Sequence, residues 1–165
     1  MNSREEILQD TVELALPRDR VFAFFSDPAN LECLTPPWLG FRMLTPAPLP
    51  RGAGAIYDYA LALHGLPLRW RTLITEWDEG RRFQDIQLRG PYALWQHTHT
   101  FEDSPGGGTR MRDEVRWRLP LGALGRLAAP FVRRDVAKIF DYRKRMLQQL
   151  VADGQLWKRS SGTIG

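Results

Sequence analysis

Two histidines and two aspartates stand at positions that would bring them together on one face of a β-sheet. His97 and His99 are two residues apart, and a strand turns such side chains to the same side. Asp113 alternates with apolar residues on a later strand, and Asp85 lies on the strand before the histidines. A carboxylate on an apolar face needs a hydrogen-bonding partner or a raised pKa. These residues therefore form a predicted polar cluster.

Histidine beside a carboxylate can move protons, so the candidate catalytic residues are His97, His99 and Asp113. The same side chains can instead hydrogen-bond one another and line a wet cavity, and we favour this interpretation over catalysis. A His-x-His pair can also bind metal, but Glu102 follows too closely for the spacing of a cupin-type site and His64 lies in a turn. We therefore predict no metal and no cofactor.

Aromatic residues share strand faces with the polar cluster, which is unusual for a dry core and typical of a lined cavity. Sorting the strands by alternation gives one set of predicted ligand-binding residues: Trp70, Asp85, Gln87, Trp95, His97, His99, Phe101, Asp113 and Trp117. The aromatic members would form apolar walls, and the polar members would orient a head group. The loop around Thr35 to Trp38 would border the entrance.

Alternating hydrophobicity predicts the strands that position these residues, and helical spacing is confined to the two ends of the chain. This is an α+β layout of about seven strands. The predicted strands are 7–16, 41–44, 55–63, 68–77, 83–88, 92–102 and 109–119. The glycines at 106–108 are predicted to turn the last hairpin rather than to hold a phosphate.

Two short helices should follow the first strand. Asp19 is a candidate N-cap for one, and Asp27 with Pro28 marks the start of the other. After Pro120 apolar residues recur every three or four positions, which predicts a long amphipathic helix that Pro130 should kink or divide near its start.

The chain has 165 residues, of which 43% are hydrophobic, and these values predict a single domain over residues 1–165 with a frayed tail from about 158. One cysteine, Cys33, excludes an intramolecular disulfide, and the absence of a signal-like or membrane-length apolar run favours the cytoplasm. The formal net charge is +4, with arginines along one strand face at 110–118. We expect that face to be solvated rather than to bind nucleic acid, whereas the apolar segment 121–132 suggests transient contact with a membrane surface.

Several stretches resemble the SRPBCC superfamily over roughly residues 5–150, within a bacterial subfamily of stand-alone ligand-binding proteins. They are VFAFFSDPANLECLTPPWLGFRM, PLRWRTLITEW, RFQDIQLRGPYALWQHTHTFED, GGGTRMRDEV, LPLGALGRLA and IFDYRKRML. The superfamily includes START lipid-transfer domains, pollen-allergen-like proteins and polyketide cyclases. The resemblance implies a helix-grip fold, in which a curved antiparallel sheet wraps a long C-terminal helix.

The resemblance also implies a function: binding or carriage of a small, largely apolar molecule in an internal cavity. One alternative is an aromatase/cyclase- or dehydratase-type enzyme acting on a polyketide-like substrate. Another is an interaction module for a partner enzyme, because similar domains occur fused to sugar-nucleotide-epimerase-like domains. Non-enzymatic binding is favoured over catalysis.

Overall fold

A computed structural model describes residues 5–156, and the tail predicted to fray from about 158 lies outside them. Seven antiparallel strands form one curved sheet in the order β1-β7-β6-β5-β4-β3-β2. The strands are β1 (Glu6–Leu14), β2 (Arg42–Met43), β3 (Ile56–Leu63), β4 (Leu66–Asp78), β5 (Arg82–Arg89), β6 (Leu94–Ser104) and β7 (Gly108–Arg118). The predicted α+β helix-grip fold is confirmed.

The strands form because their residues alternate between an apolar inner face and a polar outer face. On β7 the inner residues Met111, Asp113, Val115 and Trp117 are all buried, as the alternation predicts. Register then aligns the polar residues across three strands: Asp85 pairs with His97, and His99 pairs with Asp113. Irregular register between β4 and β5 marks the points where a sheet bends.

The short helices after β1 are α1 (Arg18–Phe25) and α2 (Leu31–Leu34), and a 3-10 turn at Pro28–Asn30 precedes α2. The Asp27 carboxylate accepts a hydrogen bond from the backbone N–H of Ala29, as expected of the predicted start signal. Asp19 is not the N-cap of α1, because the helix already begins at Arg18 and its N-cap is Pro17. Asp19 instead lies in the first turn, where a carboxylate complements the helix dipole.

The long helix α3 (Gly122–Ala152) is continuous, so Pro130 does not divide it, and the alternative, a kink at Pro130, stays a prediction. Proline removes one backbone hydrogen bond and crowds the carbonyl four residues earlier. Both Pro130 and Arg126 are exposed, so water can reach the carbonyl that the ring leaves unpaired. None of the helices within residues 5–156 combines the length and apolar character needed to cross a membrane.

Two apolar clusters hold α3 and α1 against the sheet. One joins phenylalanines of α1 to Phe101, Met111 and Leu147. The other joins Val136 and Phe140 of α3 to Val115 and Trp117 of β7. The polar cluster lies on the inner face between them, because the same strands carry both kinds of residue.

Candidate functional site

A cavity of about 210 Å³ lies between the inner face of the sheet and α3. Aromatic side chains form much of its wall. Within that wall Trp70 packs edge-on against Trp95 at 5.2 Å between ring centroids and stacks on Tyr59 at 6.1 Å. Phe25 and Leu31 close it from the side of the short helices, and Val136 and Phe140 close it from α3. The wall is therefore shaped by rigid rings from three parts of the fold.

One region of the cavity wall is polar, and Asp85, His97, His99 and Arg143 form it. Asp113 lies behind the two histidines and does not line the cavity. Its Oδ1 is 2.9 Å from Nε2 of His97 and 2.7 Å from Nδ1 of His99. Because a carboxylate only accepts hydrogen bonds, each of these ring nitrogens carries the donated proton.

The other nitrogen of each ring lies on the side of Asp85. Nδ1 of His97 is 3.8 Å from Oδ2 of Asp85, and Nε2 of His99 is 3.7 Å from the same oxygen. Both separations exceed a hydrogen bond of about 2.7–3.2 Å. The two imidazoles are thus fixed from behind by one carboxylate and face a second one across a small gap.

Packing also fixes the histidine rings. The His99 ring stacks on Phe83 at 4.2 Å, and the two imidazoles lie 3.9 Å apart. Phe140 meets the His97 ring edge-on at 5.5 Å. With both rings held by aromatic neighbours and by Asp113, their orientations are restrained to small rotations before any ligand arrives.

Arg143 brings a positive charge from α3 to this site. Its terminal nitrogen lies 3.9 Å from Oδ1 of Asp113 and 3.5 Å from Nδ1 of His99. The guanidinium carbon lies 5.0 Å from the ring centroid of Phe25, within cation–π range. Its Nε is buried and makes no hydrogen bond within residues 5–156. A buried donor without a partner is costly, and the Arg143 side chain lines the cavity, so its guanidinium is a cationic donor beside that space.

Burial and charge shift the pKa values of the site in opposite directions. Burial lowers the pKa of His97, and the neighbouring His99 lowers it further, which favours the neutral ring. Burial alone would raise the pKa of Asp113, but Arg143 and the hydrogen bonds from both histidines outweigh burial and hold that pKa well below its usual range. Burial raises the pKa values of the cavity tyrosines Tyr59 and Tyr92, so both hydroxyls stay neutral.

The structure brings five of the predicted ligand-binding residues to the cavity wall: Trp70, Asp85, Trp95, His97 and His99. Four others lie elsewhere. Phe101 and Trp117 pack in the two apolar clusters, and Asp113 lies behind the histidines. Gln87 instead exchanges hydrogen bonds with the backbone of Tyr92. Strand alternation identifies the inner face but does not tell which part of that face a helix covers.

Sequence reasoning missed Arg143, which lies on the buried stripe of α3 with Val136, Phe140 and Leu147. A charged residue at the three- and four-residue spacing of an apolar stripe is the signal that would have found it. The loop predicted to border the entrance reaches the cavity at one end only. Thr35 lines the cavity, whereas the Trp38 ring packs against Tyr142 at 5.4 Å between ring centroids and lies beneath the Lys138 ammonium.

A curved antiparallel sheet gripping a long C-terminal helix around a lined cavity defines a helix-grip protein. Residues 6–153 match the family model described as "Polyketide cyclase / dehydrase and lipid transport". The chain belongs to that family, and the resemblance to the SRPBCC superfamily is confirmed. None of the curated proteins matches the sequence.

Solved structures support the same fold. The chain is similar to the Zhui aromatase/cyclase from a Streptomyces species, with a TM-score of 0.73 and 13% identity over 98% of this chain and 100% of that one. The protein TTHA0849 from Thermus thermophilus has a TM-score of 0.68 and 19% identity over 90% and 99% of the two chains. A nucleoside-diphosphate sugar epimerase from Corynebacterium glutamicum has a TM-score of 0.63 and 25% identity over 86% of this chain and 28% of that longer one.

Proposed function

We propose that the protein binds a small, largely apolar molecule that carries one polar, oxygen-bearing group. The observation that carries this proposal is a mostly aromatic and apolar cavity in which Asp85, His97, His99 and Arg143 form one polar region of the wall. Ligand pockets are typically lined this way, with a few polar groups that fix orientation. The family's description, which includes lipid transport, agrees with an apolar ligand.

The polar group of the ligand should meet Arg143. Its buried Nε lacks an acceptor within the described residues, and its guanidinium lies on aromatic rings that keep water away. A carboxylate or an enolate oxygen would accept a charge-assisted hydrogen bond from this guanidinium. The ligand's apolar body would then extend along Trp70 and Trp95.

Tryptophan fluorescence tests this proposal, because Trp70, Trp77 and Trp95 line the cavity. Aromatic carboxylates of increasing size, each paired with its uncharged methyl ester, would be titrated into the protein. We expect saturable quenching that is stronger for the acid than for its ester. Quenching that is equal for acid and ester would contradict the role given to Arg143, and no saturable quenching by any member would contradict the binding function.

A second candidate function is proton transfer, in an aromatase/cyclase- or dehydratase-type reaction. It is favoured by His97, which stands between Asp113 and Asp85 and borders the cavity with its Nδ1 lone pair. A positioned imidazole of this kind can take a proton from carbon beside a carbonyl. Exchange of the methylene protons of a β-diketone with D₂O, followed by NMR, should be faster with the protein and return to the background rate in His97→Gln.

Transient contact with a membrane surface is a further proposal. Leu124, Leu127 and Phe131 form an exposed apolar face on α3, and Lys138 with the half-exposed Trp38 continues it. Apolar residues beside basic ones suit the interface of an anionic bilayer. Co-sedimentation with phosphatidylserine vesicles should exceed that with phosphatidylcholine vesicles, and equal sedimentation would contradict this contact.

An interaction with an epimerase-like partner is the remaining alternative. Its support is the similarity to part of the longer epimerase chain from Corynebacterium glutamicum. Size-exclusion chromatography of the protein mixed with a sugar-nucleotide-epimerase-like protein from the same organism should show a joint peak if the proposal holds. Two separate peaks at micromolar concentrations would contradict it.

A further inference from the structure

We propose that Asp85, His97 and His99 bind one divalent transition metal ion, with Zn²⁺ as the ion that their ligand atoms suit best. Each residue offers one ligand atom, and the three atoms lie within 4.8 Å of one another. Two imidazole nitrogens and one carboxylate oxygen are the ligands of many zinc sites that keep an open position. Binding of the metal alone does not depend on whether the cavity takes an apolar ligand.

The distances leave room for an ion. Oδ2 of Asp85 is 3.8 Å from Nδ1 of His97 and 3.7 Å from Nε2 of His99, so these atoms do not hydrogen-bond one another. Zinc binds such atoms at about 2.0–2.2 Å, which places ligand atoms of a tetrahedral ion roughly 3.3 Å apart. Small side-chain rotations would therefore close the three atoms around an ion.

The contacts of Asp113 also favour a metal. Its Oδ1 lies beside Nε2 of His97 and Nδ1 of His99, so the opposite nitrogen of each ring is the one on the side of Asp85. Metal-binding histidines characteristically donate their second ring N–H to a carboxylate, which fixes the ring and raises its basicity. Here one carboxylate serves both rings, from the side away from the cavity.

The charges around the site call for a cation. Arg143 lies near Asp113, but the ion pairs of Asp85 within residues 5–156 involve only the two histidines. The side chain of Asp85 is 16% exposed, so its charge is largely removed from water. A mostly buried carboxylate without a hydrogen-bonding partner is costly, and a divalent ion beside it would balance its charge.

The ion would border the cavity, because all three proposed ligands line it. A fourth position would then face the space beside Arg143 that the polar group of a bound molecule would occupy, a placement that rests on the proposed function. An oxygen of the ligand could occupy the fourth position in place of water.

The test uses tag-free protein stripped with a chelator and then titrated with Co²⁺, followed by visible absorption, and with Zn²⁺, followed by calorimetry. We expect one equivalent to bind, with the intense absorption of a tetrahedral cobalt site. Asp85→Asn and His97→Gln should abolish this binding. Asp113→Asn should weaken it about 10–100-fold, as expected for a carboxylate that orients metal ligands.

The matched control is His64→Gln, because His64 is the remaining histidine and pairs with Asp135 at the surface. That variant should bind the ion as the unaltered protein does. Circular dichroism confirms that each variant is folded, and ring-proton shifts of His97 and His99 on adding Zn²⁺ give a readout in the unaltered protein. The proposal is overturned if the folded unaltered protein binds neither ion, or if Asp85→Asn binds as tightly as it does.

Tryptophan quenching by the aromatic carboxylates, measured on the chelator-treated protein, separates the metal site from the proposed function. Quenching without metal binding would reject the metal site and leave the cavity function standing. Metal binding without quenching would reject the cavity function and leave the metal site standing.

Discussion

The two halves of α3 carry the same helical spacing of apolar residues but have different surroundings. In the first half Leu127 and Phe131 are 74% and 73% exposed. Val136 at the middle of the helix and Phe140 in the second half are 1% and 6% exposed and pack on β7. The first half meets the same cluster through the smaller residues Ala129 and Val132, whereas the second half supplies Phe140 and Arg143 to the cavity.

An amphipathic pattern thus predicts a helix but not what its apolar face meets. Where the sheet covers the stripe, a charged residue on it becomes a buried donor, as at Arg143. Where nothing in residues 5–156 covers the stripe, the apolar face is available to another surface. The stability of the fold should therefore depend on one half, and contacts outside the fold on the other.

The largest expected difference between the halves concerns stability. Phe140→Ala should lower the free energy of unfolding by about 3–5 kcal/mol, because it opens a cavity in a packed cluster. Phe131→Ala should change it by less than about 0.5 kcal/mol, because that ring is exposed. Urea denaturation of both variants measures the difference. Similar losses at the two positions would mean that Phe131 packs on the fold after all.

The next prediction concerns two arginines of the second half. Arg143→Met should weaken binding of the aromatic carboxylates by about tenfold or more, since a hydrogen bond to a charged group contributes about 1.5–3 kcal/mol. Arg145→Met is the control, because Arg145 is exposed on the same helix. Fluorescence titration compares them. An equal loss for both would point to overall charge rather than to a contact inside the cavity.

A third prediction concerns the first half. The double change Leu124→Ser with Phe131→Ser should reduce co-sedimentation with phosphatidylserine vesicles several-fold while leaving the unfolding midpoint unchanged. Leu88→Ser serves as the control, because Leu88 is an exposed leucine on β5, away from α3. If the control loses vesicle binding as strongly as the double variant, the helix face is not the contact.

The smallest effect is expected where the halves meet. His64 in the turn between β3 and β4 lies 2.7 Å from Asp135 of α3, and its side chain is 75% exposed. His64→Asn should cost no more than about 1 kcal/mol, the usual range for an exposed ion pair. A thermal melt measures it, and a larger loss would show that this contact anchors the first half of the helix.

Much of the fold follows from the sequence, because strand alternation and the boundaries marked by proline and by capping residues are local properties. The inner face of β7 and the burial of Asp113 were predictable in this way. The continuity of α3 through Pro130 was not, because an interior proline normally kinks or ends a helix. Strand alternation also could not show that Phe101 and Trp117 pack into the apolar clusters while Trp70 and Trp95 line the cavity.

The polar cluster was predicted as a set, and its arrangement came only from the structure. Strand alternation placed the histidines and Asp113 on one face of the sheet. It did not show that Asp113 lies behind the histidines and Asp85 in front of them. That order depends on cross-strand register between β5, β6 and β7. Arg143 enters from a helix distant in sequence, so no local pattern joined it to the cluster.

Native mass spectrometry of the freshly purified protein, followed by denaturing extraction and analysis of whatever is released, tests the central claim most directly. The claim is that the cavity holds a small, largely apolar molecule with one oxygen-bearing group. It predicts a complex heavier than the chain by one such molecule, which Arg143→Met retains less well. A protein that stays at the mass of the bare chain, alone and after incubation with the aromatic carboxylates, would contradict it.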